Sequence, residues 1–167
     1  MTELKMPARW PRLIFVLFWG SILLNLTLPW GLLALFEVSA HRRTVMEAFR
    51  HVSLHFFSPG NHYFLVGLLS AAPFMVCAVF LLFHLNGDLE PPQFSRRLSG
   101  IVGSLVLMFG VNFWTHLSAL LYPDAQGALV FFFLPYILLV LIPLGYGMGR
   151  LVLGFIHVIR RGDDEPA

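Results

Sequence analysis

The sequence predicts an all-α membrane protein: a four-transmembrane-helix bundle with an amphipathic interfacial helix between the first and second spans. Three observations predict this fold. Of the 167 residues, 57% are hydrophobic and only 12% are charged, whereas a soluble domain carries about 25% charged residues. Four apolar segments are each long enough to cross a hydrocarbon core of about 30 Å. The longest polar connection, residues 37–62, contains a segment with helical amphipathicity.

The four apolar segments divide the chain into nine parts. The first apolar segment runs for 24 residues without a charge, and this is longer than the core of a signal peptide, which has about 7–15 residues. We therefore expect a retained first helix rather than a signal peptide cleaved near residues 38–40. The predicted order is a cytoplasmic N-terminus (1–12), the first transmembrane helix (13–36), an outer loop with the amphipathic helix (37–62), the second transmembrane helix (63–85), a cytoplasmic loop (86–97), the third transmembrane helix (98–121), an outer turn (122–127), the fourth transmembrane helix (128–150) and a cytoplasmic C-terminus (151–167).

The fourth apolar segment is followed by Arg150 and then by a further apolar run. Two interpretations stay open at this point. Either the helix continues past the membrane boundary with the Arg150 side chain reaching the surface, or it breaks near Gly147 and finishes along the surface. We favour the continuous helix.

The basic residues predict the orientation of the bundle. With the N-terminus in the cytoplasm, eight basic residues lie on the cytoplasmic side and three on the outer side. Short loops rich in Lys and Arg stay in the cytoplasm during insertion. We therefore predict a multi-pass protein of the inner (plasma) membrane with both termini in the cytoplasm. The eight residues are Lys5, Arg9, Arg12, Arg96, Arg97, Arg150, Arg160 and Arg161, and the three are Arg42, Arg43 and Arg50.

The outer loop contains an amphipathic helix over residues 43–57. Its apolar residues are spaced by four, three and four, which places them on one stripe of a helix. We interpret this stripe as a lid packed on the helix ends or as a docking face for a partner or ligand; a lipid-sensing role is a further alternative. The stripe consists of Val45, Phe49, Val52 and Phe56.

Four polar residues of the predicted spans fall at comparable depths: Asn25, Ser70, Asn112 and His116. Asn112 and His116 are four residues apart, so they project from one face of a helix. Polar side chains in the hydrocarbon are costly unless they face one another or water. We predict that Asn25, Asn112 and His116 point into the bundle, toward Ser70, as an interhelical hydrogen-bond cluster. A pocket that opens outward under the amphipathic helix is the alternative.

Seven histidines are many for so short a membrane protein. His62 with His116, and His84 with His157, are candidate haem-ligand pairs, and this plan resembles that of four-helix di-haem cytochromes. Because the first span has no histidine, and because His62, His84 and His157 fall at helix ends, we predict no cofactor and keep haem as an alternative. A zinc or copper site from His51, His55 and His62 is a further alternative, since His51 and His55 are four residues apart.

The residues argue against an enzyme. We find no carboxylate inside a predicted span, no nucleophile motif and no glycine-rich phosphate loop. The net charge of +2 is too small to predict binding to nucleic acid, and Cys77 is the single cysteine, so no intramolecular disulfide can form.

We predict a protein that acts by protein–protein interaction in the bilayer, with another membrane protein or a second copy of itself as partner. Small residues on the third and fourth spans offer packing faces for such a contact. Both an accessory subunit of a membrane complex and an immunity-type protein against a membrane-active toxin fit this description. The layout resembles that of bacterial immunity proteins against pore-forming toxins, which have four spans, both termini inside and a sizeable outer loop. The alternatives are a haem- or quinone-binding redox subunit and a carrier of a small molecule or lipid.

Overall fold

The computed structural model describes residues 10–55, 63–86, 89–122 and 127–163. This part of the chain forms five α-helices: α1 (Trp10–His41), α2 (Val45–His55), α3 (Tyr63–Leu85), α4 (Pro91–Leu121) and α5 (Gly127–Asp163). Helices α1, α3, α4 and α5 are long and apolar enough to cross a membrane. The prediction of an all-helical chain with four such helices is confirmed for these residues. The segment predicted to be amphipathic forms a helix of its own, α2.

Three of the long helices extend beyond the predicted spans. Helix α1 continues to His41, because residues 37–41 contain neither proline nor glycine. Helix α4 begins at Pro91, and prolines occupy its first positions, where a missing backbone N–H costs little. Helix α5 is continuous through Arg150 to Asp163, as in the first of the two interpretations of the fourth segment. The Arg150 guanidinium lies 5.9 Å from the centroid of the Tyr146 ring.

The four long helices form two pairs, in which α1 packs on α3 and α4 packs on α5. In the first pair the backbones approach at Gly67, where an added Cβ atom would lie 2.7 Å from the carbonyl oxygen of Leu26. In the second pair, a Cβ atom on Gly103 would overlap the carbonyl oxygen of Gly145, and one on Gly149 would overlap that of Ser99. Glycine is therefore required along the seam between α4 and α5, because any larger residue would force the helices apart.

The small residues of α4 and α5 thus mainly pack these two helices against each other. Ser104 strengthens the same seam, since its hydroxyl donates a hydrogen bond to the carbonyl oxygen of Ile142 over 2.7 Å. An added Cβ atom at Gly110 or Gly147 would meet nothing within 4 Å. The seam glycines are therefore not available as a packing face for another protein, and only the outward-facing glycines of these helices could serve in that way.

A cluster of buried apolar side chains joins the two helix pairs. It consists of Phe74 and Cys77 from α3, Met108 from α4, and Leu134 and Leu138 from α5. Phe74 is the central residue of α3, the shortest of the four long helices. The level of this cluster therefore marks the middle of the bundle. A second cluster, formed by Leu81, Leu85, Phe94 and Ile101, closes the end of the bundle where α4 begins.

A sharp reversal connects α1 to α2. Arg42 has a φ angle of 51°, in the left-handed region that usually follows the end of a helix and favours glycine. Helix α2 then runs back against α1. Thr44 and Glu47 form a capping box at its start: the Thr44 N–H donates to Glu47 Oε2 over 2.9 Å, and the Glu47 N–H points back to Thr44 Oγ1 at 3.4 Å.

Candidate functional site

A hydrogen bond between two asparagine side chains joins α1 to α4 inside the bundle. Asn112 donates from Nδ2 to Oδ1 of Asn25 over 2.8 Å, and Asn25 donates from Nδ2 to the carbonyl oxygen of Ser21 over 2.7 Å. Both asparagines are buried. These two bonds fix the orientation of the Asn25 amide, because its oxygen accepts and its nitrogen donates. The asparagines that the sequence analysis assigned to the interior therefore contact each other there.

His116 lies one helical turn beyond Asn112 and is 4% exposed. Its ring packs against Phe131 of α5, with the ring centroids 4.9 Å apart. His116 Nδ1 is 2.9 Å from the backbone carbonyl oxygen of Asn112. Because that oxygen can only accept a hydrogen bond, Nδ1 carries the proton of the neutral ring and Nε2 keeps a lone pair.

Two atoms of this cluster are buried and have no hydrogen-bond partner among the described residues: Nε2 of His116 and Oδ1 of Asn112. Both are acceptors in the arrangement just described. A buried acceptor that is left unpaired costs about 1–3 kcal/mol. The arrangement is therefore suited to a molecule that donates hydrogen bonds, and it offers nothing at these two atoms to a molecule that only accepts them.

Ser70, the fourth residue predicted for this cluster, is buried on α3. Its hydroxyl donates to the carbonyl oxygen of Gly67 over 3.1 Å, so this bond stays within α3. All four predicted residues lie in the interior, and the recorded hydrogen bonds connect Asn25, Asn112 and His116.

A second polar cluster surrounds Glu37, near the end of α1. The Glu37 side chain is largely buried; its Oε2 lies 3.3 Å from Arg43 Nε and 3.4 Å from His41 Nδ1, and its Oε1 lies 3.6 Å from His51 Nδ1. All the ion pairs recorded among the described residues involve this carboxylate. This cluster is not among the sites that the sequence predicts. The spacing of four residues between Glu37 and His41 indicates that these two side chains are neighbours on a helix. The other partners, Arg43 and His51, reach Glu37 only because the chain reverses at Arg42.

The capping box of α2 was also missed, although its sequence pattern, a threonine followed three residues later by a glutamate, was available. The hydrogen bond from the Thr44 backbone N–H, assisted by the Thr44 hydroxyl, lowers the pKa of the Glu47 carboxyl from its ordinary value of 4.5. Ionised Glu47 therefore stabilises the first turn of α2.

The apolar stripe predicted for α2 is divided between the interior and the surface. Val52 is fully buried and is not available to a partner in this arrangement. Phe49 is 45% exposed, and its ring meets Trp30 of α1 edge-on, with the ring centroids 3.9 Å apart. Val45 is exposed. Phe56 lies outside the described residues.

Three apolar side chains of α2 lie together on its exposed side: Val45, Met46 and Phe49. We call these residues the exposed edge of α2. They border the buried side of the helix, which Ala48 and Val52 form. Helix α2 is therefore fixed to the bundle by one side while an apolar side remains accessible.

The structure describes the side chains of two of the four predicted haem candidates, His84 and His116. His84 is in the last turn of α3 and lies beside Tyr146, with the ring centroids 5.7 Å apart. His157 is eleven residues further along α5 than Tyr146, or about 16 Å at 1.5 Å per residue, so the backbone does not bring it beside His84. His116 lies toward the opposite end of α4 from the turn that contacts His84. His62 lies outside the described residues.

The proposed zinc or copper site falls largely outside the described part of the chain, because His62 and the side chain of His55 are not described. Among the side chains that are described, no group of three or more histidines, cysteines or carboxylates could hold a metal ion. The chain matches no protein-family model, no curated protein and no solved structure.

Proposed function

We propose that the chain is a multi-pass protein of the inner membrane that acts by binding another membrane protein through the exposed edge of α2. In this role it serves as an accessory subunit of a membrane complex or as an immunity-type protein against an inserting toxin. The observation that carries the proposal is that α2 is held in a fixed position yet presents Val45, Met46 and Phe49 to its surroundings. Exposed apolar patches rimmed by polar residues are typical of interaction sites.

Three contacts support the fixed position of α2. Its buried side packs into the chain through Val52, its Phe49 ring meets Trp30, and its His51 ring faces the Glu37 carboxylate. An element that is ordered before binding loses less conformational entropy on association. A preformed outer helix therefore suits recognition of a partner.

The depth of α2 also supports the proposal. Asn112 lies four residues beyond Met108, which is at the middle of the bundle, and Asn112 contacts Asn25. Trp30 is five residues further along α1 than Asn25. The four residues on α4 and the five residues on α1 together correspond to about 14 Å at 1.5 Å per residue. Trp30, and the Phe49 ring beside it, therefore lie about 14 Å from the middle of the bundle. Half of the hydrocarbon core is about 15 Å, so the exposed edge would meet a partner at the membrane boundary.

Site-specific photo-crosslinking in native membranes tests this proposal. A photoreactive amino acid at position 46 should give an adduct of discrete mass with a second membrane protein. Phe49→Asp should abolish the adduct, because it places a charge in the centre of the contact. Leu54→Asp is the matched control: Leu54 is exposed, but it lies nine residues, or about two and a half turns, from Val45 and so faces the other way.

The same experiment separates the two forms of the proposal. An accessory subunit should give the adduct constitutively, whereas an immunity-type protein should give it only when a membrane-active toxin is added. Adducts with lipid alone, or a protein adduct that persists in Phe49→Asp, would contradict both forms.

A second function, the binding of a small hydroxyl-bearing molecule, is favoured by Nε2 of His116 and Oδ1 of Asn112, which have no hydrogen-bond partner within the described ranges. Because both atoms are acceptors, a quinol hydroxyl would satisfy them and a quinone carbonyl would not. A quinol should therefore raise the melting temperature of the purified protein, and the corresponding quinone should not. His116→Leu should erase the rise, while Thr27→Val, at an exposed site on α1, should keep it. Equal effects of quinol and quinone would contradict this assignment.

A further inference from the structure

Two neighbouring grooves lie along α4 and the second half of α5. The first has a volume of about 980 Å³ and is lined by Ser95, Arg96 and Arg150 together with apolar residues of α5. The second has a volume of about 370 Å³, and its accessible lining is almost entirely apolar. On α4 the second groove continues the first, since Ser95, Ser99, Val102 and Val106 are spaced by four, three and four residues and so share one face. On α5 both grooves use Leu153.

The two arginines of the first groove lie at the same level. Arg96 is twelve residues before Met108 on α4, and Arg150 is twelve residues after Leu138 on α5. Met108 and Leu138 belong to the cluster at the middle of the bundle. Both arginine Cα atoms therefore lie about 18 Å from the middle. The hydrocarbon ends about 15 Å from the middle of a bilayer, so this is the level of the phospholipid headgroups.

Both guanidinium groups are available for an anion. Arg96 and Arg150 are exposed, and neither forms an ion pair among the residues that the structure describes. The Arg150 guanidinium contacts the Tyr146 ring, which leaves its N–H groups free to donate within the groove. Arginine is suited to phosphate because its planar group presents several N–H donors at once.

The second groove lies where an acyl chain would run. Its α4 wall, from Ser99 to Leu107, lies between about 2 and 14 Å from the middle of the bundle and so within the hydrocarbon. Val102, Val106 and Met148 line it with exposed apolar surface. It is thus an apolar channel directly below two arginines that form no ion pair with the described residues.

We propose that these two grooves form a binding site for one anionic phospholipid. Its phosphate lies between Arg96 and Arg150, and one acyl chain lies in the groove between α4 and α5. The charge of the first groove, the apolar lining of the second and the level of the boundary between them all match such a lipid. This site is separate from the exposed edge of α2 and does not depend on it.

Native mass spectrometry of the detergent-purified protein tests the site. In an equimolar mixture of phosphatidylglycerol and phosphatidylcholine with identical acyl chains, the protein should retain phosphatidylglycerol preferentially. The double variant Arg96→Gln/Arg150→Gln should lower this preference about 25-fold, since each of the two basic residues near an anionic headgroup contributes about a factor of five. Val106→Trp should reduce the retention of both lipids, because the indole fills the acyl groove while the arginines stay in place.

Arg12→Gln/Arg50→Gln is the matched control, because it removes two exposed arginines that do not line either groove. It should keep the preference for phosphatidylglycerol. Equal retention of the two lipids by the unmodified protein, or an unchanged preference in Arg96→Gln/Arg150→Gln, would overturn the proposal. Unchanged lipid retention in Val106→Trp would overturn the placement of the acyl chain.

Discussion

Asn112 of α4 donates a hydrogen bond to Asn25 of α1 over 2.8 Å, and both side chains are buried. This bond connects the two helix pairs, since α1 packs mainly on α3 and α4 mainly on α5. In the part of the chain that the structure describes, Asn112 Oδ1 has no donor. Asn112 therefore connects the two helix pairs and also contributes a hydrogen-bond acceptor, its Oδ1 atom, to the candidate site.

We expect Asn112→Leu to destabilise the bundle by about 1 kcal/mol, because hydrogen bonds between membrane helices contribute about 0.6–1.7 kcal/mol. Equilibrium unfolding in mixed micelles would measure the effect. The double variant Asn25→Leu/Asn112→Leu should be less harmful than the sum of the two single variants, since it leaves no unpaired amide behind. Thr27→Val should change the stability little, because its hydroxyl bonds only to carbonyl oxygens of α1. Strict additivity would show that the two amides do not interact.

The seam between α4 and α5 predicts a contrast between two glycines of α5. Gly149→Ala should destabilise the protein by at least about 2 kcal/mol, because the new methyl group would overlap the backbone of Ser99. At Gly154 an added methyl group would meet nothing within 4 Å, so Gly154→Ala should be neutral or stabilise the helix by up to about 1 kcal/mol. The two melting temperatures test this. Similar values for both variants would mean that the helices are not in contact at Gly149.

The capping box makes the start of α2 sensitive to acid. The pKa of Glu47 is lowered in the folded chain, so the stabilisation is complete above the ordinary value of 4.5 and is lost as the pH falls through the lowered pKa. Hydrogen exchange of the α2 amides should therefore differ between the unmodified protein and Glu47→Gln at pH 7, and this difference should shrink below pH 4.5. A difference that is independent of pH would contradict the role of the ionised carboxylate.

Removal of the Glu37 carboxylate should loosen α2. Glu37→Gln removes the charge that faces Arg43 and His51. Because the site is partly buried, we expect the free energy that holds α2 on the bundle to fall by about 1–2 kcal/mol. Hydrogen exchange over residues 45–55 should become roughly 5–30-fold faster. Glu90→Gln is the control, because Glu90 is exposed and makes no side-chain cap to α4. Unchanged exchange in Glu37→Gln would show that apolar contacts alone hold α2.

The sequence predicted the parts of this fold that depend on local composition. The four apolar segments exceed the length of a hydrocarbon core, and the spacing of Val45, Phe49 and Val52 predicts a helix whatever lies beside it. Asn25 and Asn112 could be assigned to the interior because lipid tolerates an exposed amide poorly. The helix ends were less predictable: α4 begins at Pro91 because proline is well tolerated in a first turn.

Contacts between distant segments could not be predicted from the sequence. The burial of Val52 on the same helix as an exposed Val45 depends on how α2 approaches α1, and the contact between Glu37 and His51 depends on the reversal at Arg42. The role of the seam glycines could not be predicted either. Gly103 and Gly149 would suit a contact with another protein as well as a contact between two helices of this chain. Only the packing of α4 on α5 decides between these two roles.

The separation of 87 residues between Asn25 and Asn112 also sets an order of events while the ribosome makes the protein. At about 5–20 residues per second, Asn112 is added roughly 4–17 s after Asn25. Until then, the Oδ1 atom of Asn25 lacks the donor that it has in the folded chain, and α3 is the long helix on which α1 mainly packs. A nascent chain that stalls in this interval would be an open target for quality-control proteases.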